Sequence, residues 1–264
     1  MFFGFEHITV VYDKHTVLND VTLEVPQGKV CVLIGRNGCG KSSLLRTVSQ
    51  TVRPRTGRVV WRDRPLTDYS PRQRARGIAY LGQSVPMPAD IDVETLVSYG
   101  RYPHAVAGRG MTAYDREMID LALVRTGLEK IRNRTLNTLS GGELQRARIA
   151  MNLAQEPSVL ILDEPTTHLD IGYQLEIMEL LRGLNRELGL TVLMVLHDVD
   201  LAARYADRIY GICDGRLAVD GTPAEVISTE NMRRLFGIEA DILWDEKNKC
   251  PYVRPRTYAS KENE

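Results

Sequence analysis

A glycine-rich segment between two apolar runs constrains this chain most. Residues Gly35–Ser43 read GRNGCGKSS and match the pattern G-x-x-x-x-G-K-[ST]. The apolar run Val30–Ile34 before it predicts a buried strand, and the apolar-periodic stretch Ser42–Val48 after it predicts a helix. A strand, a glycine loop and a helix are the context that this motif requires. The segment therefore predicts the binding of a nucleoside triphosphate.

The chemistry that the loop offers is anion capture. Gly35, Gly38 and Gly40 allow the backbone to curl so that successive N–H groups point inward, and the helix start adds its positive dipole end. Lys41 supplies a positive charge for the β- and γ-phosphates, and the Ser42 hydroxyl suits a Mg²⁺ ligand. A glycine-rich turn with an exposed lysine is the alternative, and it leaves the agreement between motif and context unexplained.

Composition narrows the class of protein. The 264 residues suit one large domain or a domain with a sizeable insert. Lys and Arg number 34, as do Asp and Glu, so no global field recruits nucleic acid. The four cysteines lack a C-x-x-C spacing, which argues against a zinc site and a disulfide framework and favours a reduced, cytosolic protein. No apolar run approaches the ~18 residues that a membrane span needs.

Periodicity predicts the organisation of the chain. Alternating residues at His7–Val11, Val17–Val25 and Gly57–Arg62 predict strands that flank the loop-bearing strand. Strand signals then fade between residues 85 and about 137, where Pro86, Pro88 and Pro103 interrupt the pattern. We therefore expect four parts: a nucleotide-binding core with an antiparallel β subdomain (1–84), a helical subdomain (85–155), the rest of the core (156–225), and a C-terminal helix with a polar tail (226–264).

A second glycine motif lies at Leu139–Glu143. Ser140 and Glu143 have the S-x-x-E spacing of a helix capping box. Two consecutive glycines at a helix start are costly if capping is their only role. Because they leave backbone N–H groups accessible at a positive helix end, this segment also predicts a second anion site. Capping and anion binding both remain open from the residues alone.

Polar residues follow two apolar strands further along the chain. Asp163 ends the run Val159–Leu162 and is placed to hold Mg²⁺ through water, while Glu164 is a candidate to orient or polarise the attacking water. The start of a loop is the alternative, which the phosphate loop upstream disfavours. His197 follows the apolar run Leu190–Leu196, where a catalytic and a purely structural histidine are equal alternatives.

This set of motifs resembles the nucleotide-binding subunit of an ATP-binding cassette (ABC) transporter, from about residue 5 to residue 225. The resemblance implies an α/β fold with a RecA-like P-loop NTPase core, an antiparallel β subdomain and an inserted α-helical subdomain, with ATP and Mg²⁺ bound. It implies catalytic roles for Glu164, His197 and Gln83, and metal ligation by Ser42, Gln83 and Asp163. The nucleotide-binding residues that it implies are Tyr12, Gly35, Asn37, Gly38, Cys39, Gly40, Lys41, Ser42, Ser43, Ser140, Gly141, Gly142 and Asp170.

Among these residues, Tyr12 is the aromatic that would stack on the base, although a half-buried strand residue is an equal alternative from spacing alone. Glu143 departs from the family pattern, in which glutamine is commoner at the fifth signature position. That departure concerns the helix cap more than the phosphate contacts.

The resemblance also implies partners. Two chains would form a homodimer, head to tail, with each ATP between one phosphate loop and the other chain's Ser140–Gly142. A separate transmembrane permease would dock on the helical subdomain near residues 85–110, at the cytoplasmic face of the cell membrane, and a substrate-binding protein would complete the system. Gly100–His104 and Asp163–Asp170 resemble importers of iron chelates, haem or cobalamin, which favours a ferric siderophore or related metal chelate as cargo.

Two rival functions remain. A soluble ABC ATPase that acts on DNA or ribosomes predicts a long coiled-coil insert, or two cassettes with a basic surface. The chain shows neither, and no nucleic-acid partner is expected. A regulatory module that binds nucleotide without hydrolysis predicts the loss of the catalytic carboxylate, but Glu164 is present.

Overall fold

The computed structural model describes residues 1–83, 88, 90–106 and 108–259. The chain divides into two compact units, the first formed by Met1–Leu66 and Leu193–Glu264 and the second by Thr67–Val192. The expected boundary at residues 84 and 85, parts of the expected docking segment 85–110, and the last residues of the expected polar tail, 260–264, fall outside the described residues. The four domain ranges therefore stay predictions.

The first unit contains an antiparallel sheet with the strand order β2-β1-β4-β5. Its strands are β1 (Phe3–Tyr12), β2 (His15–Val25), β4 (Thr56–Trp61) and β5 (Arg64–Pro65). Phe3 and Phe5 on β1 are fully buried and pack edge to face. The structure confirms the strands predicted on either side of the phosphate loop. They form because their alternating apolar residues cover one face of the sheet.

The same unit holds the strand and helix that carry the phosphate loop. Strand β3 (Val30–Ile34) is buried along its whole length and pairs in parallel with β9 (Arg208–Cys213). Helix α1 (Lys41–Val48) follows the loop. Strand β9 turns at Asp214 and Gly215, both with positive φ, into the antiparallel strand β10 (Arg216–Gly221). The predicted strand, loop and helix are confirmed.

The C-terminal region differs from the sequence expectation. Residues 226–264 were expected to form a helix and a polar tail, but a β-hairpin follows the helices there. The helices before the hairpin are α7 (Val199–Tyr205), α8 (Pro223–Val226) and α9 (Thr229–Phe236). The strands of the hairpin are β11 (Ile238–Asp245) and β12 (Cys250–Tyr258). Pro251 and Pro255 mask the strand pattern in the sequence, since proline is uncommon inside sheets. Cross-strand ion pairs from Arg254 and Arg256 to Asp241 add to the antiparallel pairing of the two strands.

The second unit is mainly helical. Strands β6 (Ile78–Leu81) and β7 (Val159–Asp163) pair in parallel over four registered positions. Strand β8 (Thr191–Val195) lies across the division of the chain, and Thr191 N–H donates to Ser158 O at 3.2 Å. The helices are α2 (Pro71–Gly77), α3 (Val93–Ser98), α4 (Ala113–Arg125), α5 (Gly141–Ala154) and α6 (Ile171–Leu188).

The predicted α/β class, with parallel strands, an antiparallel β sheet and several helices, is confirmed. Strands β3, β7 and β8 are each buried at all five positions, as expected of parallel strands covered on both faces. Within the part of the chain that the structure describes, no helix combines the length and the apolarity needed to cross a membrane.

Candidate active site

The phosphate loop has a backbone shape that only glycine accommodates at three positions. Gly35, Gly38 and Gly40 have φ values of 143°, 80° and 106°. A Cβ on Gly35 would lie 2.3 Å from Ile212 O, and one on Gly40 would lie 2.5 Å from a methyl group of Leu18. Gly40 is also the N-cap of α1, where no side chain caps the helix. No capping side chain therefore accepts hydrogen bonds from the N–H groups in the first turn of α1.

Lys41 is held across the mouth of this loop. Its side chain is buried, with the residue only 5% exposed. The ammonium group donates to Gly35 O at 2.8 Å and to Arg36 O at 2.9 Å, and it lies 3.8 Å from Cys39 Sγ. A buried cation beside uncapped N–H groups fits a multiply charged phosphate chain, because each feature favours negative charge.

The other predicted nucleotide-binding residues of the first unit surround the loop. Asn37 is exposed at the loop tip, and Ser42 and Ser43 are half-buried in the first turn of α1. Tyr12 ends β1 and is 41% exposed, and its hydroxyl donates to Ser43 Oγ at 3.3 Å. This bond places the ring beside the helix start while leaving aromatic surface open to solvent. Tyr12 is therefore not a buried strand residue.

The second unit brings Gln83 and Glu164 together. Gln83, two residues beyond β6, donates from Nε2 to Glu164 Oε2 at 2.6 Å. Thr167 also donates to Glu164 Oε2, at 3.1 Å. Asp163, the last residue of β7, is 3% exposed and directly precedes Glu164. Sequence reasoning missed Thr167, and its only sequence signal is the three-residue spacing from Glu164 in a loop.

Glu164 has an unusual backbone conformation. Its φ is 56°, in the left-handed region that a glutamate seldom adopts. Such a conformation costs about 1–3 kcal/mol and persists where the surrounding structure fixes it, which is common at functional sites. Here the following residue, Pro165, accepts a hydrogen bond at its carbonyl from Gln145 Nε2 at 2.8 Å. The turn that aims Glu164 is thus tied to helix α5.

The second glycine motif forms the capping box that its spacing predicts. Glu143 N–H donates to Ser140 Oγ at 3.2 Å, and Ser140 N–H donates to Glu143 Oε2 at 2.8 Å. These bonds do not involve the N–H groups of Gly141 and Gly142. The donation from the Ser140 N–H holds the pKa of Glu143 below its ordinary value. The capping interpretation is confirmed, and the anion interpretation stays a prediction.

The two glycines of this motif differ in their surroundings. A Cβ on Gly142 would lie 2.3 Å from the ring of Tyr173, so packing against α6 requires glycine there. A Cβ on Gly141 would meet only the Leu169 side chain, at 3.3 Å. Packing therefore explains why residue 142 is a glycine despite the conformational cost at a helix start. It explains the glycine at residue 141 less well.

The remaining predicted residues lie at helix and strand ends. Asp170 caps α6, because its Oδ1 accepts from Tyr173 N–H at 3.0 Å. His197 is exposed just after β8, and the preceding residue, Leu196, donates from its N–H to Leu33 O at 3.2 Å. The histidine therefore follows a chain segment that runs beside the strand carrying the phosphate loop.

The predicted residues fall into two sets. The first unit holds Tyr12, the phosphate loop with Ser42 and Ser43, and His197. The second unit holds Gln83, Ser140, Gly141, Gly142, Asp163, Glu164 and Asp170. Within the described residues, no group of three or more His, Cys, Asp or Glu side chains forms a metal site.

The sequence matches the model of the ABC transporter family over residues 18–167. This chain belongs to the ABC transporter family. It is 41% identical to the ferric enterobactin transport ATP-binding protein FepC of Escherichia coli, over 98% of this chain and 96% of FepC. It is 39% identical to the iron(3+)-hydroxamate import ATP-binding protein FhuC of Bacillus subtilis, over 93% of this chain and 91% of FhuC.

Solved structures of ABC proteins show the same fold. A putative metal-chelate type ABC transporter in an inward-facing conformation superposes with a TM-score of 0.83 at 23% identity, over 96% of this chain and 97% of that one. A dimeric post-hydrolysis ATP-binding cassette with bound ADP and Pi superposes with a TM-score of 0.72 at 27% identity, over 83% of this chain and 98% of that one. The expectation of an ABC ATPase that binds and hydrolyses ATP is confirmed.

The family match does not cover every predicted site residue of this ABC ATPase. Residues 18–167 include the phosphate loop, Gln83, the second glycine motif and both carboxylates. Tyr12, Asp170 and His197 lie outside that range. The match tests no individual role, so the roles expected of these three residues and of the residues inside the range all stay predictions.

Proposed function

We propose that this ABC ATPase drives the import of a ferric siderophore or a related iron chelate through a separate membrane permease. The observation that carries the proposal is its 41% identity to a ferric enterobactin transport ATP-binding protein over nearly the whole length of both chains. The second relative is named as an importer of iron(3+)-hydroxamate, another ferric chelate. The soluble rival that acts on DNA or ribosomes is not favoured, because both relatives are named as transport subunits.

The first unit would hold the phosphates of ATP. The loop N–H groups and the Lys41 ammonium provide the donors, and the open face of the Tyr12 ring would stack on the base. The donor set also fits Mg²⁺, since the Ser42 hydroxyl, the Gln83 amide oxygen and the Asp163 carboxylate are hard oxygen ligands. When bound, the metal ion would neutralise charge that develops on the phosphate oxygens during transfer.

Glu164 would act on the attacking water. A carboxylate that accepts hydrogen bonds from Gln83 and Thr167 has a fixed orientation, which is what a general base needs. Gln83 would hold the metal ion through its amide oxygen and Glu164 through its amide nitrogen. One side chain would thus link the bound nucleotide to the general base. His197, at the end of β8, would donate to the terminal phosphate.

We further propose that the active form is a homodimer at the cytoplasmic face of the membrane. Each ATP would lie between the phosphate loop of one chain and Ser140–Gly142 of the other. Support comes from the Gly141 and Gly142 N–H groups, which lie outside the capping box at the positive end of a 14-residue helix. The dimeric cassette with bound ADP and Pi is consistent with this arrangement. A permease would dock on the helical subdomain, and a substrate-binding protein would deliver the cargo.

The test is purification of the tagged chain from its native membrane, followed by uptake measurements in vesicles made with the co-purified permease. We expect uptake of an iron-loaded siderophore that requires internal ATP. Glu164→Gln is the matched control, because it should keep the complex and ATP binding but stop uptake. Uptake of haem or cobalamin in preference to every ferric siderophore tried would overturn the cargo, and recovery without any membrane protein would overturn the importer.

A further inference from the structure

Two of the four cysteines line one cleft in the first unit. The cleft has a volume of about 450 Å³. Its walls include Asn37 and Cys39 from the phosphate loop, Cys213 and Asp214 from the β9–β10 turn, and His15 from the start of β2. Cys39 and Cys213 are both partly exposed, whereas Cys31 and Cys250 are buried. The cleft therefore gathers both solvent-accessible thiols of the chain.

The sheet register brings the segments that carry the two cysteines close together. Ile34 pairs with Gly211 in the parallel β3–β9 ladder, so the phosphate loop begins beside Ile212 and Cys213. The position of an added Cβ on Gly35 lies 2.3 Å from Ile212 O and 3.0 Å from Cys39 Sγ. The Cys39 sulfur therefore lies near Ile212, the residue directly before Cys213. Gly38 has open space around it, so the loop beside Cys39 has room to shift.

The two thiols have different environments. The Lys41 ammonium donates to Cys39 Sγ at 3.8 Å. Cys213 donates to Arg234 O at 3.4 Å. Burial raises the pKa of Cys213, and the nearby Asp214 and Cys39 groups raise this pKa further. Because this raised pKa disfavours its thiolate, Cys213 is suited to complete a reaction that Cys39 begins.

We propose that Cys39 and Cys213 form a reversible disulfide that closes the phosphate loop to ATP. With hydrogen peroxide as the oxidant, the Cys39 thiolate attacks one peroxide oxygen, the O–O bond breaks, and water leaves with Cys39 as a sulfenic acid. The Cys213 sulfur then attacks the Cys39 sulfur, the S–S bond forms, and a second water leaves. The two thiols lose two electrons and two protons, and one peroxide becomes two waters.

The disulfide would block the loop for a geometric reason. Cys39 lies between Gly38 and Gly40, whose positive φ values give the loop its curl. A covalent bond to Cys213 would pull this segment toward β9, so its N–H groups would no longer converge on a phosphate. The functional consequence rests on ATP binding by this loop, but formation of the bond itself does not.

The test is peroxide treatment of the purified chain, with peptide mapping under non-reducing conditions. We expect a peptide that joins Cys39 to Cys213, a parallel loss of ATP binding and hydrolysis, and recovery of both with dithiothreitol. Mg²⁺ and ATP present during treatment should slow formation of the bond. Absence of the linked peptide, or unchanged ATP binding once it has formed, would overturn the proposal.

Two serine variants separate this bond from other oxidation. Cys213→Ser should keep the basal ATPase rate and resist reversible inactivation by peroxide. Cys250→Ser, which changes a buried thiol outside the cleft, should stay as sensitive as the unaltered chain. Equal inactivation of Cys213→Ser would show that oxidation of Cys39 alone is responsible and would contradict the disulfide. The mapping needs no permease or cargo, so failure of the importer proposal would leave this result standing.

Discussion

Helices α1 and α5 both begin at glycine-rich segments, but their first turns are built differently. At α1 no side chain caps the helix, and the three loop glycines have positive φ. At α5 the glycines are absent from the positive-φ positions, and Ser140 and Glu143 close a capping box. The loop before α1 leaves its N–H groups available to a ligand, whereas the start of α5 is stabilised by hydrogen bonds within its own chain.

This difference bears on the proposal that the two segments, one from each chain of a homodimer, share one nucleotide. The phosphate loop presents converging N–H groups and the Lys41 ammonium, so it can bind an anion without help. The start of α5 offers only the donors that its capping box leaves over, those of Gly141 and Gly142. We therefore expect α1 to determine ATP affinity and α5 to determine whether the bound ATP is hydrolysed in the dimer. Four predictions test this division, beginning with the largest effect.

Lys41→Ala should weaken ATP binding. The variant loses a buried ammonium that would contact the phosphates, and charge-assisted hydrogen bonds contribute about 1.5–3 kcal/mol each. We expect the dissociation constant for ATP, measured by isothermal titration calorimetry, to rise roughly tenfold to a hundredfold. Lys29→Ala, at an exposed site before β3, is the matched control and should bind normally. An unchanged affinity of Lys41→Ala for ATP would contradict the conclusion that the phosphate loop determines ATP binding.

Gly142→Ala and Gly141→Ala should differ in stability. The added methyl group at residue 142 would collide with the Tyr173 ring, and overpacking of this kind costs about 1–3 kcal/mol. At residue 141 only the end of the Leu169 side chain must move, so we expect little change in the free energy of unfolding. Chemical denaturation measures both. Equal destabilisation would contradict the packing role assigned to Gly142 alone.

Ser140→Ala should lose a helix cap and also hydrolysis. Loss of the cap costs about 1 kcal/mol of stability. Ser70→Ala is the matched control, because Ser70 forms the same kind of box with Gln73 at the start of α2. We expect similar stability losses in the two variants and a lower ATPase rate only in Ser140→Ala. A normal ATPase rate in Ser140→Ala would show that the start of α5 has only a structural role.

The smallest effect is the pH dependence of the α5 cap. The pKa of Glu143 lies below its ordinary value of 4.5 because the Ser140 N–H donates to the carboxylate. The carboxylate therefore stabilises the fold above that ordinary value, and this contribution is lost as the pH falls through the lowered pKa. Glu143→Gln keeps an acceptor but removes the titration.

The measurement for this last prediction is the free energy of unfolding at neutral pH and in acid. The stability difference between the unaltered chain and Glu143→Gln should shift in favour of the variant as the pH falls below 4.5. A difference that stays constant with pH would mean that the cap does not depend on the charge of Glu143.

Much of the fold and the candidate site follows from local sequence. The phosphate loop, the antiparallel strands, the capping box at Ser140 and the β9–β10 turn were predictable, because each depends on spacing within a few residues. The C-terminal hairpin was not, because prolines mask the alternation of its strands and because the pairing of β11 with β12 depends on their register. Thr167 was missed for a related reason: its bond to Glu164 depends on the path of a loop.

The sequence alone determined that a triphosphate is bound, since glycine, lysine and serine in that order suffice to specify an anion cradle. It also predicted that Glu164 and Gln83 are polar residues at strand ends. Only the tertiary structure showed that Gln83 donates to Glu164, that Tyr173 is the reason for Gly142, and that Cys39 and Cys213 line one cleft. Local patterns fix what a segment can form, whereas contacts between distant segments depend on strand register and helix packing, which no short stretch encodes.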